Sequence, residues 1–99
     1  TTSATLASSS DARLKSNIED AASASDKIDA IQVRQFDWNE TGNHQDYGLI
    51  AQELQPIEPL AVIGNPDSDE MMGIDNSKLV PMLIKEIQQL RSRVAALEE

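Results

Sequence analysis

A serine and a lysine near the start of the chain are the residues whose types and spacing could carry out chemistry. Ser10 and Lys15 stand five residues apart in the segment SDARLK. A serine hydroxyl is a weak nucleophile until a base removes its proton, and a lysine becomes that base when burial or a nearby cation lowers its pKa. Positions five apart do not share one helix face, so a productive pair needs a turn or an extended bend between its members.

Two charged neighbours of this pair are further candidates. Arg13 could orient the segment or lower the pKa of Lys15, and a salt bridge to Asp11 or Glu19 is the simpler alternative. Asp11 follows Ser10 directly, so the Ser10–Asp11 peptide bond is one candidate site of cleavage. The pattern alone has little specificity, because most serines and lysines at this spacing are ordinary surface residues.

A hydrolase triad is the second catalytic arrangement that the residue types allow. His44 and Asp46 could be combined with Ser10, but no G-x-S-x-G elbow surrounds this serine. We therefore expect His44 to be an exposed loop residue. It is the only histidine, and there is no cysteine, which excludes a thiolate nucleophile, a disulfide and any site that needs two histidines. We expect no metal and no other cofactor.

Length and charge limit the remaining functions. The 99 residues allow one small domain, and 17 acidic against 8 basic side chains give a net charge of −9. An acidic surface disfavours binding to nucleic acid backbones and to anionic membranes, and no apolar run approaches the length of a membrane span. Only 39% of the residues are hydrophobic and 3% are aromatic. Such a thin core predicts that a partner subunit contributes to stability.

Secondary-structure signals predict a small α+β domain. Capping-box spacing between Ser16 and Glu19, followed by alanines, favours a helix over 19–31. Downstream signals predict a strand at 32–38, a turn at 39–46, a short helix that ends before Pro56, short strands at 60–63 and 71–74, and a long C-terminal helix at about 77–98.

The C-terminal segment carries a heptad pattern. Its apolar residues, spaced by 3, 4, 3, 4 and 3 positions, are Val80, Leu83, Ile87, Leu90, Val94 and Leu97. They alternate between heptad positions a and d. Glu86 at g precedes Arg91 at e by five residues, an offset that joins opposite charges between parallel chains. Arg93 precedes Glu98 in the same way. The pattern favours a parallel coiled coil over a helix packed on its own domain, and fewer than three heptads leave the number of chains open.

Four segments, in this order, resemble the intramolecular chaperone auto-processing domain, also called the S74 peptidase domain, found at the C-terminal ends of phage tail spikes, tail fibres and endosialidases. They are SDARLKSNI at 10–18, DKIDAIQVRQFDW at 26–38, YGLIAQELQ at 47–55 and KLVPMLIKEIQQLRSRVAALE at 78–98. The S-D-x-R-L-K start, the G-x-I-A-Q-E middle and the terminal coil are specific in combination. A related domain occurs in a membrane-bound eukaryotic transcription factor.

The resemblance implies a homotrimer that guides folding of an upstream fibre or stalk segment of the same polypeptide and then releases itself. Ser10 matches the family's nucleophile and Lys15 its general base, and the cut is expected at Ser10–Asp11. Residues 1–10 would then end the fibre segment, and residues 11–99 would form the chaperone domain. Assembly is expected in the cytoplasm of the infected host, with the released domain absent from the mature tail fibre.

Two other functions stay open on the sequence. A trimerisation and attachment module without proteolysis would have the same composition and the same coil. It would differ in leaving the upstream segment covalently attached after assembly. A self-cleaving domain of a membrane-tethered transcription factor would free a DNA-binding region instead of a fibre, and sequence further upstream would distinguish the transcription factor from the fibre.

Overall fold

The computed structural model describes residues 9–98, so most of the predicted fibre end at 1–10 lies outside the described residues. The predicted α+β class is confirmed. The helices are α1 Ser25–Ala30, α2 Ala51–Leu54 and α3 Val80–Leu97, the strands are β1 Arg34–Asp37, β2 His44–Gly48, β3 Val62–Ile63 and β4 Gly73–Ile74, and short 3₁₀ helices lie at Ala12–Leu14, Pro59–Ala61 and Asn76–Lys78. None of the helices within 9–98 is long and apolar enough to cross a membrane.

Strands β1 and β2 form an antiparallel hairpin that confirms the strand predicted at 32–38. The turn predicted at 39–46 was too long, because β2 already begins at His44. Gly42, at φ 75°, supplies the left-handed conformation that the reversal needs. A two-stranded hairpin buries little of either face, so β2 lacks the apolar alternation by which a strand is recognised. The register pairs Arg34 with Gly48, Phe36 with Gln45 and Asp37 with His44.

Gly48, the first residue of the G-x-I-A-Q-E motif, is required by the packing of this hairpin. A Cβ added at Gly48 would lie 2.7 Å from Cε2 of Phe36 and 2.7 Å from Nε2 of Gln45. A Cβ essentially never lies within 3.0 Å of a non-bonded heavy atom, so the aromatic ring occupies the space that a side chain would take. Glycine here allows Phe36 to pack against the backbone and to meet Trp38 edge-on, with ring centroids 5.2 Å apart.

The helix predicted at 19–31 was wrong in its first half. Only Ser25–Ala30 is helical, and Asn17 has a left-handed backbone, with φ 55°, inside the predicted capping box. The Oγ of Ser23 accepts a hydrogen bond from the backbone N–H of Ser25 at 3.2 Å. Serine side chains that bond to nearby backbone compete with helix formation, and alanine propensity without an apolar stripe does not overcome this competition.

The single chain has a very small core. Among the described residues, the buried hydrophobic side chains are Ala24, Leu54 and Ala61. Ala24 precedes α1, Leu54 ends α2, and Ala61 ends the 3₁₀ helix before β3. Strands β3 and β4 confirm the short strands predicted near 60–63 and 71–74. Larger apolar side chains remain exposed, including Val33, Trp38, Tyr47, Leu60, Ile63 and Met71. The contribution of a partner subunit to stability, expected from the thin core, stays a prediction.

Helix α3 confirms the long C-terminal helix. It covers 18 residues, Val80–Leu97, with Pro81 in its first turn, where the missing N–H costs nothing. The predicted start near residue 77 is instead a 3₁₀ helix at Asn76–Lys78. Asp75 caps that helix by accepting from the backbone N–H of Ser77 at 3.1 Å.

Candidate functional site

The predicted catalytic segment forms one tight turn. Asp11 has extended backbone angles, and its Oδ1 accepts a hydrogen bond from the backbone N–H of Arg13 at 2.8 Å. The N–H of Leu14 donates to the carbonyl of Asp11 at 2.9 Å, which closes a 3₁₀ helix over Ala12–Leu14. Aspartate is among the most favoured capping residues, and here it reverses the chain directly after Ser10. The turn that a serine and lysine at this spacing require is therefore present.

This turn brings Ser10 and Lys15 into contact. The Nζ of Lys15 donates a hydrogen bond to the Oγ of Ser10 at 2.7 Å. A nucleophile and its base need this separation, about 2.6–3.2 Å between heavy atoms. When a lysine amine is neutral, the same contact reverses direction, so that the hydroxyl donates and its proton can leave. Both residues are exposed in the single chain. The solvent exclusion that favours a neutral lysine is therefore not supplied by the chain on its own.

Arg13 binds Asp11, which was the simpler of the alternatives for this residue. Its Nε and Nη2 donate to the two carboxylate oxygens of Asp11 at 3.1 and 2.8 Å. The side-chain hydrogen bond from Arg13 is the main cause that holds the pKa of Asp11 below its usual range, and the bond from the Arg13 backbone adds to it. The guanidinium lies against the residue on the far side of the predicted scissile bond, and the orienting role of Arg13 stays a prediction. Its direct partner is Asp11 and not Lys15.

His44 lies on a strand and not in a loop, although it is exposed as predicted. Its Nδ1 is 2.6 Å from Oδ1 of Asp37, and its Nε2 is 3.1 Å from Oδ1 of Asp46. The Nε2 also lies 3.2 Å from Oε1 of Gln35. Both ring nitrogens are therefore engaged within the β1–β2 hairpin. Because the imidazole contacts only hairpin residues through these nitrogens, the arrangement gives no support to a triad with Ser10.

Helix α3 turns a polar face toward its own chain. The Oγ of Ser25 donates to Oε1 of Glu86 at 2.8 Å, and the Oγ of Ser23 donates to Oε1 of Gln89 at 3.2 Å. The six heptad residues lie on the adjacent, solvent-exposed face of the helix, with exposed fractions from 46% at Leu90 to 85% at Leu97. This set, Val80, Leu83, Ile87, Leu90, Val94 and Leu97, is called the heptad seam below.

Two features of α3 were missed in the sequence. Ile84 is 51% exposed beside the heptad seam and widens its apolar stripe, a feature signalled by its position four residues after Val80. Glu86, predicted to bridge to Arg91 of a second chain, already accepts a hydrogen bond from Ser25 of its own chain. No sequence signal reveals that bond, because 61 residues separate its partners.

Comparisons with known proteins agree with the resemblance. The family model Peptidase_S74, described as chaperone of endosialidase, matches residues 10–63. The chain is also similar to two proteins named long tail fiber protein Gp37, from Enterobacteria phage K3 and Enterobacteria phage T2. Each is 30% identical over 95 residues, which is 90% of this chain. The chain spans only 8% and 7% of the length of these curated relatives.

Proposed function

Because this chain belongs to the Peptidase_S74 family of endosialidase chaperones, we propose that it is an intramolecular chaperone that assembles a phage tail fibre and then cuts itself free. Residues 11–99 form the chaperone domain in this proposal, and residues 1–10 end the fibre segment. The named relatives are phage tail-fibre proteins, which favours a fibre over the transcription-factor alternative. The site of action is the cytoplasm of the infected host, where the fibre is assembled.

Trimerisation is the first part of the proposal, and the heptad seam supports it. None of the seam residues is buried, while the polar face of α3 contacts the chain itself through Glu86 and Gln89. Complete burial of a Val, Leu or Ile side chain contributes about 1.5–3 kcal/mol. Half-exposed seam residues therefore offer roughly 1 kcal/mol each to an assembled coil. Ile84 extends the apolar stripe to an e position, so the stripe is wide enough to face two neighbouring helices.

Chaperone action follows from assembling the C-terminal domain first. Fibre segments that pair between chains depend on long-range contacts and on correct register, and both make folding slow. A domain that trimerises early holds three upstream segments at high local concentration and in a common register. The small core of the single chain suits this order. The domain would become stable only on trimerisation, and the same step would align the adjoining ends of the three fibre segments.

Self-cleavage is the second part, and the contact between Lys15 Nζ and Ser10 Oγ is the observation that carries it. Lys15 acts as the general base that takes the proton from the Ser10 hydroxyl, and the Ser10–Asp11 bond is cut. The pair is exposed in one chain. Neighbouring subunits or the folded fibre end would exclude water from it and favour the neutral amine. Cleavage would then follow assembly, and loss of the chaperone would leave the fibre kinetically trapped.

Expression of the native upstream segment with and without residues 11–99 tests the chaperone role. We expect a soluble trimeric fibre when the domain is present and an aggregated or monomeric segment when it is absent. Supplying the domain as a separate chain is the control, and it should not restore assembly, because the effect depends on covalent linkage. A fibre that trimerises equally well without the domain would contradict the chaperone role.

A further inference from the structure

We propose that the chains of the trimer cut one another: Ser10 of one copy attacks the Ser10–Asp11 bond of a neighbouring copy. This inference rests on the proposed self-cleavage and names the bond on which the nucleophile acts. Ser10 and Lys15 contact each other within one chain, but the Ser10 hydroxyl cannot attack the Ser10 carbonyl of the same chain.

The carbonyl of Ser10 is out of reach of its own hydroxyl for a covalent reason. The Oγ is joined to that carbonyl carbon through Cβ and Cα alone, so a bond between them would close a four-membered ring. Such a ring compresses its bond angles from about 110° toward about 90°, and angle strain grows quadratically with the deviation. Turning the Ser10 side chain does not remove the constraint, because Oγ, Cβ, Cα and the carbonyl carbon remain linked in the same order.

The base, in contrast, belongs to the same chain as the nucleophile. The Nζ of Lys15 lies 2.7 Å from the Oγ of Ser10, and the 3₁₀ helix over Ala12–Leu14 forms the turn between the two residues. One chain therefore supplies a nucleophile in contact with its base, but no carbonyl that this nucleophile can attack in line. A second copy supplies that carbonyl, and attack then follows an unconstrained trajectory with reacting atoms about 3–3.5 Å apart.

The target bond is presented for such an attack. Ser10 and Asp11 are both exposed, so a neighbouring copy has access to the peptide bond between them. Asp11 is held extended, with φ −66° and ψ 138°, and its carboxylate is gripped by Arg13 at 2.8 Å. A fixed leaving residue limits the motion of the bond while the acyl group is transferred. Arg13 is in this way a positioning residue on the chain that is cut.

The reaction balances with water as the only co-reactant. Neutral Lys15 takes the proton of Ser10 Oγ as this oxygen bonds to the Ser10 carbonyl carbon of the neighbouring copy. The bond to the Asp11 nitrogen of that copy breaks, and the nitrogen takes the proton from Lys15 to become a free amine. The acyl group is now an ester on the first Ser10. A water molecule, giving its proton to Lys15, hydrolyses the ester to a carboxylic acid and restores the hydroxyl.

In a cyclic trimer, cleavage between chains would run in one direction around the ring. Each copy presents its serine to one neighbour and its scissile bond to the other, because the interfaces of a ring are heterologous. Each cut also leaves the Ser10 of the cleaved chain on the fibre and its Lys15 on the released domain. The three cuts within one trimer are therefore expected to proceed at unequal rates.

Mixed trimers test the proposal. Wild-type chains and differently tagged Ser10→Ala chains, each behind the native fibre segment, are co-expressed, and mixed trimers are isolated through both tags. Ser10→Ala chains expressed alone show whether the variant assembles and stays uncut. At equal expression, before the tag selection, about half of all the Ser10→Ala chains should be cut, and this fraction should follow the wild-type share linearly. Lys15→Ala chains, which keep their serine, should be cut to the same extent.

The outcomes separate this inference from the proposed function. Wild-type trimers that are cut while every Ser10→Ala chain in mixed trimers stays intact would overturn cutting between chains and leave self-cleavage within one chain. Wild-type trimers that remain whole would overturn the proposed self-cleavage, and this inference with it. A linear rise of cut Ser10→Ala chains with the wild-type share supports both.

Discussion

The Ser10–Lys15 turn and the C-terminal helix differ in how completely a single chain satisfies their interactions. The turn is complete within a few residues: Asp11 caps it, Arg13 grips Asp11, and Lys15 contacts Ser10. Helix α3 is well formed in its backbone, yet its heptad seam is exposed along its whole length. Local hydrogen bonds satisfy the first region, whereas the second leaves its apolar side chains exposed in the single chain.

This difference suggests how chemistry and assembly are linked. A nucleophile and base that form locally would be present from the start of folding, and an exposed pair stays in water until something covers it. In the proposed trimer, the heptad seam is the surface through which the other chains associate. The Ser10–Lys15 contact would form early, but water would be excluded from it only after assembly. Cleavage would therefore be delayed until the trimer has formed.

Replacing the base should have the largest effect, because it alters the local region alone. Lys15→Arg keeps the positive charge and a hydrogen-bond donor, but a guanidinium does not give up its proton in proteins. We expect processing to fall at least about a hundredfold, within the usual contribution of general base catalysis. Gel analysis of the precursor over time measures the effect.

Ser16→Ala is the matched control for this variant, since Ser16 is exposed and adjacent to Lys15. Processing at the wild-type rate is expected for the control. If Lys15→Arg were also processed at that rate, Lys15 would not be the base, and the Ser10–Lys15 contact would have no role in cleavage.

A charge in the heptad seam should come next. Leu90→Asp places a carboxylate at the centre of the seam in every chain, where burial without a partner is unfavourable. We expect a loss of about 2–4 kcal/mol per chain, in line with loss of a core leucine. The trimer should dissociate at micromolar concentration, as measured by sedimentation. Gln88→Asp, on the exposed side of α3, introduces the same charge and should leave the trimer intact. Equal behaviour of the two variants would contradict the role of the seam.

A substitution in the β1–β2 hairpin, which lies between the two regions in the sequence, should have a smaller effect on stability. Gly48→Ala forces a Cβ against the ring of Phe36 and should lower the free energy of unfolding by about 1–3 kcal/mol. Gly42→Asn is the comparison, because Gly42 has open space around it and asparagine tolerates a left-handed backbone. Denaturant unfolding of the assembled protein should show the larger loss for Gly48→Ala. The reverse order would mean that ring packing on Gly48 contributes little.

Arg13 should have a modest effect on cleavage. Arg13→Lys keeps the charge but loses the fork that holds both oxygens of Asp11. We expect a fall in the processing rate of about tenfold, typical of a lost charge-assisted contact. Lys85→Arg, which exchanges the same two residue types on α3 outside the heptad seam and its flanking charge pairs, is the control and should be neutral for processing. A normal rate for Arg13→Lys would show that the grip on Asp11 does not position the bond.

The titration of Asp11 should be the smallest observable change. Arg13 lowers the pKa of this carboxyl in the folded chain, so its charged form is the one that the turn favours. Its contribution to the turn should be present above the usual aspartate pKa, near 3.8, and should disappear as pH falls through the lower folded value. NMR titration should give a higher Asp11 pKa in Arg13→Ala than in the wild type. An unchanged pKa would contradict the ion pair.

The elements that could be predicted from sequence are those with a strong local or periodic signal. The heptad spacing predicted α3, and the turn needed between Ser10 and Lys15 is present as Ala12–Leu14. Prediction failed where short-range bonds decide the structure, as when Ser23 bonds to the backbone N–H of Ser25 and the helix starts late. It also failed for the bond between Ser25 and Glu86, which depends on the tertiary fold.

The central claim is that the assembled domain cuts the chain between Ser10 and Asp11. The intact mass of the domain expressed behind its native fibre segment, beside the Ser10→Ala variant, tests it most directly. We predict two fragments for the wild type, one ending at Ser10 and one beginning at Asp11, and a single uncut chain in an assembled trimer for the variant. A wild-type fibre that is assembled yet remains one intact chain would contradict self-cleavage and leave a trimerisation module.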